Sequence, residues 1–347
     1  MTASPNASAF RTRIDEQLSS FVADQRARLV DLGPDLEPFV DAAATFVSGG
    51  KRLRPQFCYA GWLVAGGDPD ETGILAAAAS FEWLQASALA HDDLMDGSDT
   101  RRGKPSIHRD FEARHSNGNS VGDAAQFGRS VALLLGDLML SWSEEMFRNC
   151  ALVNVDAGAI YLDLCKTEVV AGQYLDVVGQ TRPEFSVADA MRVVRFKSAK
   201  YTIERPLHVG AALAGADDEL LAILSAFGLP LGEAFQLRDD MLGVFGDPEV
   251  TGKPAGDDLR EGKRTVLIAR TAERTDDAGR ELLRRGLGNG EYIAQLRELI
   301  ISTGADAAVE EDIASLEREA EAALATLGKS AQFHLRDLML KATRRNH

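Results

Sequence analysis

Three carboxylates, Asp92, Asp93 and Asp96, fall within five residues at the end of an apolar run, FEWLQASALAH. Burying acids is costly unless something pairs with them, so this placement asks for a counter-charge. Asp92 and Asp96 are spaced i, i+4 and share a helix face, while Asp93 points about 100° away. Gly97 is a natural helix stop, which puts the acids in the last turn, where the helix dipole is already negative. Arg101, Arg102, Gly103, Lys104 and Pro105 follow at once. Carboxylates suit Mg²⁺, which keeps several waters and shares phosphate oxygens, and guanidinium groups suit bidentate phosphate contacts. The combination reads as a metal–diphosphate clamp. A merely solvated acidic helix end would leave the basic turn without a purpose.

The plan recurs. Residues 233–254, EAFQLRDDMLGVFGDPEVTGKP, give an apolar helix, the pair Asp239 and Asp240, a break, then Gly-Lys-Pro, with Arg260, Lys263 and Arg264 beyond. A third cationic cluster, GGKRLRP at 49–55, carries Lys51, Arg52 and Arg54 at a glycine-rich helix entry. Cations gathered at Gly/Pro junctions of a chain with formal net charge −15 point to bound anions, not to a generally basic surface. That net charge also argues against nucleic acid and anionic membranes as partners. The six histidines show no metal spacing, no Ser/His/Asp or Cys/His set is evident, and His91 and His108 read as structural.

The elements that must position these groups are helical. Ala, Leu, Glu, Arg and Met dominate, apolar residues recur three and four apart, and breaks fall at Gly, Pro and Asp clusters. The pattern predicts helices at about 11–30, 36–47, 54–66, 71–96, 121–148, 155–178, 187–213, 217–245, 264–274, 278–285, 290–302 and 306–343. Residues 1–8 are expected to be a disordered start. With 347 residues, 45% hydrophobic, and no Pro/Ser-rich linker, the chain reads as a single all-α domain over 1–347. No apolar stretch is expected to reach the roughly 18–20 residues of a membrane span, and no signal-peptide pattern opens the chain. Cys58, Cys150 and Cys165 are expected to be reduced core residues of a cytoplasmic protein.

Five motifs in order make the chain resemble the trans-isoprenyl diphosphate synthases, or polyprenyl synthetases, over about residues 40–270. They are GGKRLRP, HDDLMDGSDTRRGKPSIH at 91–108, GQYLD at 172–176, FKSAKYT at 196–202 and QLRDDMLGVFGDPEVTGKPAGDDLREGKRT at 236–265. The second and last are highly specific together; GQYLD alone is weak. The resemblance, closest in kind to geranylgeranyl diphosphate synthases, implies an all-α helical bundle around a deep central cavity and a homodimer. It implies prenyltransfer in isoprenoid biosynthesis, joining isopentenyl diphosphate to a dimethylallyl, geranyl or farnesyl diphosphate. By motif, Asp92 and Asp96 would ligate two Mg²⁺ with Asp93 in support, and Asp239, assisted by Asp240, a third. Arg101, Lys197 and Lys253 would hold the allylic diphosphate, and Lys51, Arg54 and Arg102 the metal-free diphosphate of isopentenyl diphosphate. Ser198 and Gln236 would sit near the developing allylic cation, and Lys263 would add a diphosphate-side cation.

Two positions depart from the family pattern. Gln85 stands where many members have His, and an amide still donates to a phosphate oxygen. Gly243 stands where many have a third Asp, which removes a charge near the third metal. Among rival readings, a class I terpene cyclase shares the first acidic motif but has an Asn/Ser/Glu second one and no purpose for GGKRLRP. A non-catalytic partner subunit would be expected to have lost acids of the first motif.

Product length is expected to be set by the helix before the clamp. Ser87, Leu84 and Phe81 lie five, eight and eleven residues before Asp92, roughly on one face. Ser87 is small, and Phe81 is the first large ring, about 16 Å below Asp92 by helical rise. Isoprene units of roughly 5 Å then fit three to four deep, which points to geranylgeranyl diphosphate, with farnesyl or longer products as alternatives. The plainer reading makes Phe81 and Trp83 ordinary core aromatics and gives the floor to another helix, through Trp142.

Overall fold

The computed structural model describes residues 7–182, 184–246 and 255–343. Helices form where the apolar period is helical: α1 (Ala7–Val30), α2 (Glu37–Val47), α3 (Leu53–Val64) and α4 (Gly73–Asp96). A two-stranded hairpin follows, β1 (Thr100–Arg101) and β2 (Lys104–Pro105), with Arg101 opposite Lys104. Next come α5 (Ile107–Asn117), α6 (Ala124–Arg148), α7 (Val155–Thr181) and α8 (Val187–Val193). A π-helical stretch (Val194–Glu204) runs into α9 (Arg205–Leu213), then α10 (Asp218–Phe245) and the short α11 (Asp257–Glu261). The rest is α12 (Val266–Arg274), α13 (Asp277–Gly286), α14 (Ile293–Ser302), α15 (Ala305–Thr326) and α16 (Lys329–Thr343).

Three apolar clusters hold the bundle. One joins α1, α4 and α6 through Ile14, Trp83, Leu135 and Trp142, with the Trp83 and Trp142 rings edge to face at 5.1 Å. The second packs Phe57, Leu207 and Phe227 against the C-terminal Leu324 and Leu335, and the third gathers Leu237, Val266, Leu296 and Ile313. Burial of this many large side chains, each worth roughly 1.5–3 kcal/mol, overrides individual helix propensities.

Several sequence expectations need correction. Helix α1 already begins at Ala7, inside the segment expected to be disordered. Helix α5 and the hairpin were not anticipated, because α5 is very polar and buries only Ile107, His108 and Phe111. The expected helix at 187–213 is continuous but π-wound in its middle; Pro206 has no N–H to offer the Thr202 carbonyl, so the i→i−4 ladder is interrupted there. The expected helix at 306–343 divides at Leu327–Gly328. Finally, α10 is long and apolar enough to cross a membrane, with mean hydropathy 1.6 over its best window, but 61% of that window is buried in the protein core.

Candidate active site

The motifs converge on one cavity of about 900 Å³. Helix α4 delivers Asp92 and Gln85, the hairpin Arg101 and Arg102, and the α3 entry Lys51 and Arg54. The π stretch adds Lys197 and Ser198, α10 adds Gln236, Asp239 and Asp240, and the segment after it Asp258 and Lys263. Lys253 falls outside the described residues.

Gly97 ends α4 in the left-handed conformation, with Ser98 N–H donating to the Asp93 carbonyl at 3.0 Å. The chain then reverses at Arg102 and Gly103, both at positive φ, as a two-residue hairpin turn requires. That reversal sends Arg101 back onto the acids. Its Nε donates to Asp93 Oδ1 at 2.9 Å, and its Nη2 lies 3.9 Å from Asp92 Oδ2. Asp93, 1% exposed, is thus the buried anchor of Arg101, away from the face of Asp92.

Lys197 Nζ donates to Asp92 Oδ1 at 3.1 Å and to Asp176 Oδ2 at 2.6 Å. Asp176 belongs to GQYLD, a motif to which the sequence reading gave no residue role; the signal was an acid on an otherwise apolar stretch of α7. The motif's glycine also has a purpose. A Cβ on Gly172 would lie 2.3 Å from the Lys197 backbone nitrogen, so only glycine lets α7 and the π stretch meet this closely.

Across the cavity, Asp239 is exposed to it while Asp240 is buried. Gln236 links inward, its Nε2 donating to Asp240 Oδ1 at 2.7 Å and its Oε1 accepting from the Ser198 hydroxyl. Burial pushes the Asp240 carboxyl well up, and the charges of Asp258 and Asp239 add to the shift. Lys263 Nζ stands 3.5 Å from Asp96 Oδ2, 3.5 Å from Asp258 Oδ1 and 2.6 Å from Glu261 Oε2, so it ties the two acidic segments together. Asp96 meets the site through Lys263 and does not itself line the cavity.

The two acids of the shared face differ in charge state. Burial raises the Asp92 carboxyl, but Lys197, Lys263 and Arg101 more than offset it and hold it below its ordinary value. Burial and the charge of Asp92 push Asp96 up to about 6. The donors are all hard carboxylate oxygens, the chemistry of Mg²⁺, and phosphate oxygens and waters complete such a shell. Among the described residues no three acidic, His or Cys side chains already form a closed metal cage. The carboxylate oxygens that line the cavity fit a Mg²⁺ shared with a diphosphate.

The second cation set faces them. Arg52, at positive φ and only 3% exposed, pairs with Glu82 and donates from Nε to Asp15 at 2.9 Å. It is a structural strut that fixes the GGKRLRP turn. Lys51 and Arg54, on either side, line the cavity; Arg54 lies 4.0 Å over the Tyr201 ring and donates to Thr202 Oγ1 at 2.9 Å. Arg102 donates from Nη1 to the Ser48 carbonyl at 3.3 Å, which places it beside Gly50. Desolvation and then the charges of Arg52, Arg101 and Arg54 lower the Arg102 pKa, against Glu82. Cations crowded this closely make an anion site.

The expected length-setting line differs from the cavity wall. Ser87, Leu84 and Phe81 are all buried, and none lines the cavity. The wall on α4 is Glu82, Gln85, Ala88, Leu89, His91, Asp92 and Met95. Ser87 is turned about 140° from Asp92 around the helix, on the side where His91 packs against Gly136 of α6.

Residues 37–300 match the family model described as polyprenyl synthetase. The fold superposes on a geranylgeranyl pyrophosphate synthase from Corynebacterium glutamicum, solved with isoprenyl diphosphate and magnesium. The TM-score is 0.94 at 41% identity, covering 98% of this chain and 100% of that one. A short chain isoprenyl diphosphate synthase of Methanothermobacter thermautotrophicus is 31% identical over 82% of this chain and 83% of its own. A (2E,6E)-farnesyl diphosphate synthase of Mycobacterium tuberculosis is 34% identical over 67% of this chain and 60% of its own.

Proposed function

The chain belongs to the polyprenyl synthetase family, and we propose that it joins isopentenyl diphosphate to an allylic diphosphate, extending the product to geranylgeranyl diphosphate. One observation carries the reading: a carboxylate set and a separate arginine–lysine set line the same cavity. That is what two diphosphates, one metal-bound and one not, require.

The enzyme uses Mg²⁺, which when bound neutralises charge on the leaving diphosphate; we place two ions with Asp92 and Asp96 and a third with Asp239. Arg101 and Lys197, already oriented by Asp93 and Asp176, hold the departing diphosphate, with Lys253 and Lys263 as further cations. Preorganised charges of this kind stabilise a leaving anion without reorganisation cost. Ser198 and Gln236, hydrogen-bonded to each other, present oxygen dipoles to the allylic cation. Lys51, Arg54 and Arg102 hold isopentenyl diphosphate, with Gln85 beside them, and the apolar side of the cavity (Val169, Val194, Phe235) keeps water from the cation. The final proton leaves to the released diphosphate, so no further base is needed.

Leu133 and Leu134 on α6 and Ile160, Val170 and Tyr174 on α7 are more than half exposed, and we assign these faces to a homodimer contact. The three cysteines are free and buried, which suits a reducing compartment, and we place the enzyme in the cytoplasm.

The test is to incubate the purified chain with isopentenyl diphosphate and, in turn, dimethylallyl, geranyl and farnesyl diphosphate. The expected main product is geranylgeranyl diphosphate, with farnesyl diphosphate an intermediate or minor product. A cyclic hydrocarbon from an allylic substrate alone, or no condensation with any primer, overturns the reading.

A further inference from the structure

We infer that Glu168 is a positioning residue that holds the π winding of 194–204 and so aims Lys197 and Ser198 into the cavity. The inference rests on the diphosphate-transfer reading above, through the roles which that reading gives those two side chains. Glu168 lies on α7 one turn before Gly172, on the face that meets the π stretch. Its Oε1 accepts from Lys200 Nζ at 2.8 Å and from Arg205 Nη2 at 2.8 Å, and its Oε2 accepts from Arg205 Nε at 2.6 Å. The Arg205 N–H donates to the Lys200 carbonyl, five residues back. That is the hydrogen bond of π winding. In an α-helix two residues five apart stand about 140° apart and face different neighbours. Here one carboxylate clamps both, because the widened turn brings them round to one face.

The winding decides where the cavity side chains point. Its far end is fixed, since Arg205 Nη1 donates to His208 Nδ1 at 3.0 Å. The ring proton of His208 therefore sits on Nε2, which donates to the Leu221 carbonyl of α10 at 3.2 Å. A Cβ on Gly210 would lie 1.8 Å from the Cys58 carbonyl oxygen, so α9 is locked against α3. A return to α winding between 200 and 205 would shift the register by one residue, about 100°, and the residues before 200 would have to absorb it. Lys197 would then leave Asp92 and Asp176, and Ser198 would leave Gln236. Lys200 has an ordinary helical partner at hand in Glu204, four residues on, whose Oε2 is 3.6 Å away. Glu168 therefore works against the α-wound state. Were it only a half-buried ion-pair partner, its loss would lower stability and leave the kinetics alone.

Steady-state kinetics test this, with each substrate varied in turn and each variant assayed well below its melting temperature. Glu168→Ala should lower kcat about a hundredfold, the loss that a misplacement of about 1 Å can cause. It should also raise KM for the allylic diphosphate about tenfold, as a charge-assisted contact from Lys197 is lost. KM for isopentenyl diphosphate should not change, because Lys51 and Arg54 sit on another element. Lys200→Met, which leaves the Glu168–Arg205 pair in place, should show the same pattern. It carries the decision where Glu168→Ala is too unstable to assay. Wild-type kinetics in either variant overturns the proposal, whatever happens to the melting temperature. So do KM values that rise alike for both substrates. A wild-type chain that condenses no pair of substrates overturns the functional reading instead.

Discussion

Lys197 Nζ donates to Asp92 Oδ1 at 3.1 Å, joining the first acidic motif to the π-helical stretch across 105 residues of chain. Asp176 holds the same ammonium from α7, so three elements meet at one cation. The ammonium keeps Asp92 ionised, while the carboxylates hold Lys197 protonated, above its ordinary range despite burial.

Asp92 and Asp93 should therefore fail in different ways. Asp92→Ala should cut kcat by orders of magnitude while leaving the melting temperature nearly intact, because it removes charge repulsion along with the Lys197 contact. Asp93→Ala should retain more turnover but lose about 3 kcal/mol of stability, since it strands the Arg101 guanidinium beside a buried site. Denaturant unfolding and steady-state kinetics on the two variants decide it; equal, mild losses would refute the assignment.

The two anion sites should separate kinetically. Lys51→Ala should chiefly raise KM for isopentenyl diphosphate, because that cation lines the GGKRLRP side of the cavity. Lys253→Ala should chiefly raise KM for the allylic substrate. Each charge-assisted contact is worth about 1.5–3 kcal/mol, so the expected shift is roughly ten- to a hundredfold. The reverse pattern, with each substrate varied in turn, would mean the sites are exchanged.

Asp96 gives a pH signature. Its folded-state pKa of about 6 lies above its ordinary value of 3.8, so this group adds stability that is full below the unfolded value and lost as pH rises through about 6. Metal-free protein should therefore lose more stability between about pH 4 and 6 than Asp96→Asn does. With Mg²⁺ and diphosphate the sign reverses, because the metal takes the ionised carboxylate, and the ligand-induced rise in melting temperature should grow through the same range. A ligand-induced rise that does not vary with pH would exclude Asp96 as a ligand.

Gly172→Ala should be destabilising, although a helix-interior Gly→Ala change ordinarily gains about 0.5–1 kcal/mol. The added methyl would lie 2.3 Å from the Lys197 nitrogen and 2.7 Å from its Cα, so α7 and the π stretch must part. A cost of about 1–3 kcal/mol is expected, with a fall in kcat as Lys197 leaves Asp92. An unchanged kcat would show that the approach is not needed to aim Lys197.

How much of this was legible beforehand follows from where each signal resides. Helix faces were readable because the apolar period is local, and Asp92 and Asp239 because acids cost too much to leave at the end of an apolar run without a purpose; Lys51 came from its glycine-rich cationic cluster, and Lys197 from the family motif alone. Arg101 turning back onto Asp93 was not, because two left-handed residues at Arg102 and Gly103 decide it. Asp176 escaped for another reason: its role comes from its contact with Lys197, which no local pattern encodes. The length-setting line stays a proposal: Ser87 and Leu84 turn about 140° and 80° from Asp92 around α4, while Phe81 returns to within about 20° of it.

That drift sharpens the last prediction. The open wall of α4 turns polar with depth, through Gln85 and Glu82, and Glu82 pairs with Arg52. A hydrocarbon tail cannot use that side, because it would strip water and partners from charged groups. The buried side of α4 carries the small Ser87, α6 brings the small Ala132, and Phe81 and Met139 are among the larger buried side chains of the α4–α6 core. The growing tail should therefore part the α4–α6 seam, which is closed without it: Ser87 is 3% exposed and Phe81 fully buried. Ser87→Phe should shorten the product toward farnesyl diphosphate, with some loss of stability from overpacking. Phe81→Ala should lengthen it and cost about 3–5 kcal/mol as a core cavity. Chromatography of the products from isopentenyl and dimethylallyl diphosphate reads both. If Ser87→Phe leaves the profile of an active enzyme unchanged while Ala88→Phe shortens it, the tail follows the open wall instead of the seam.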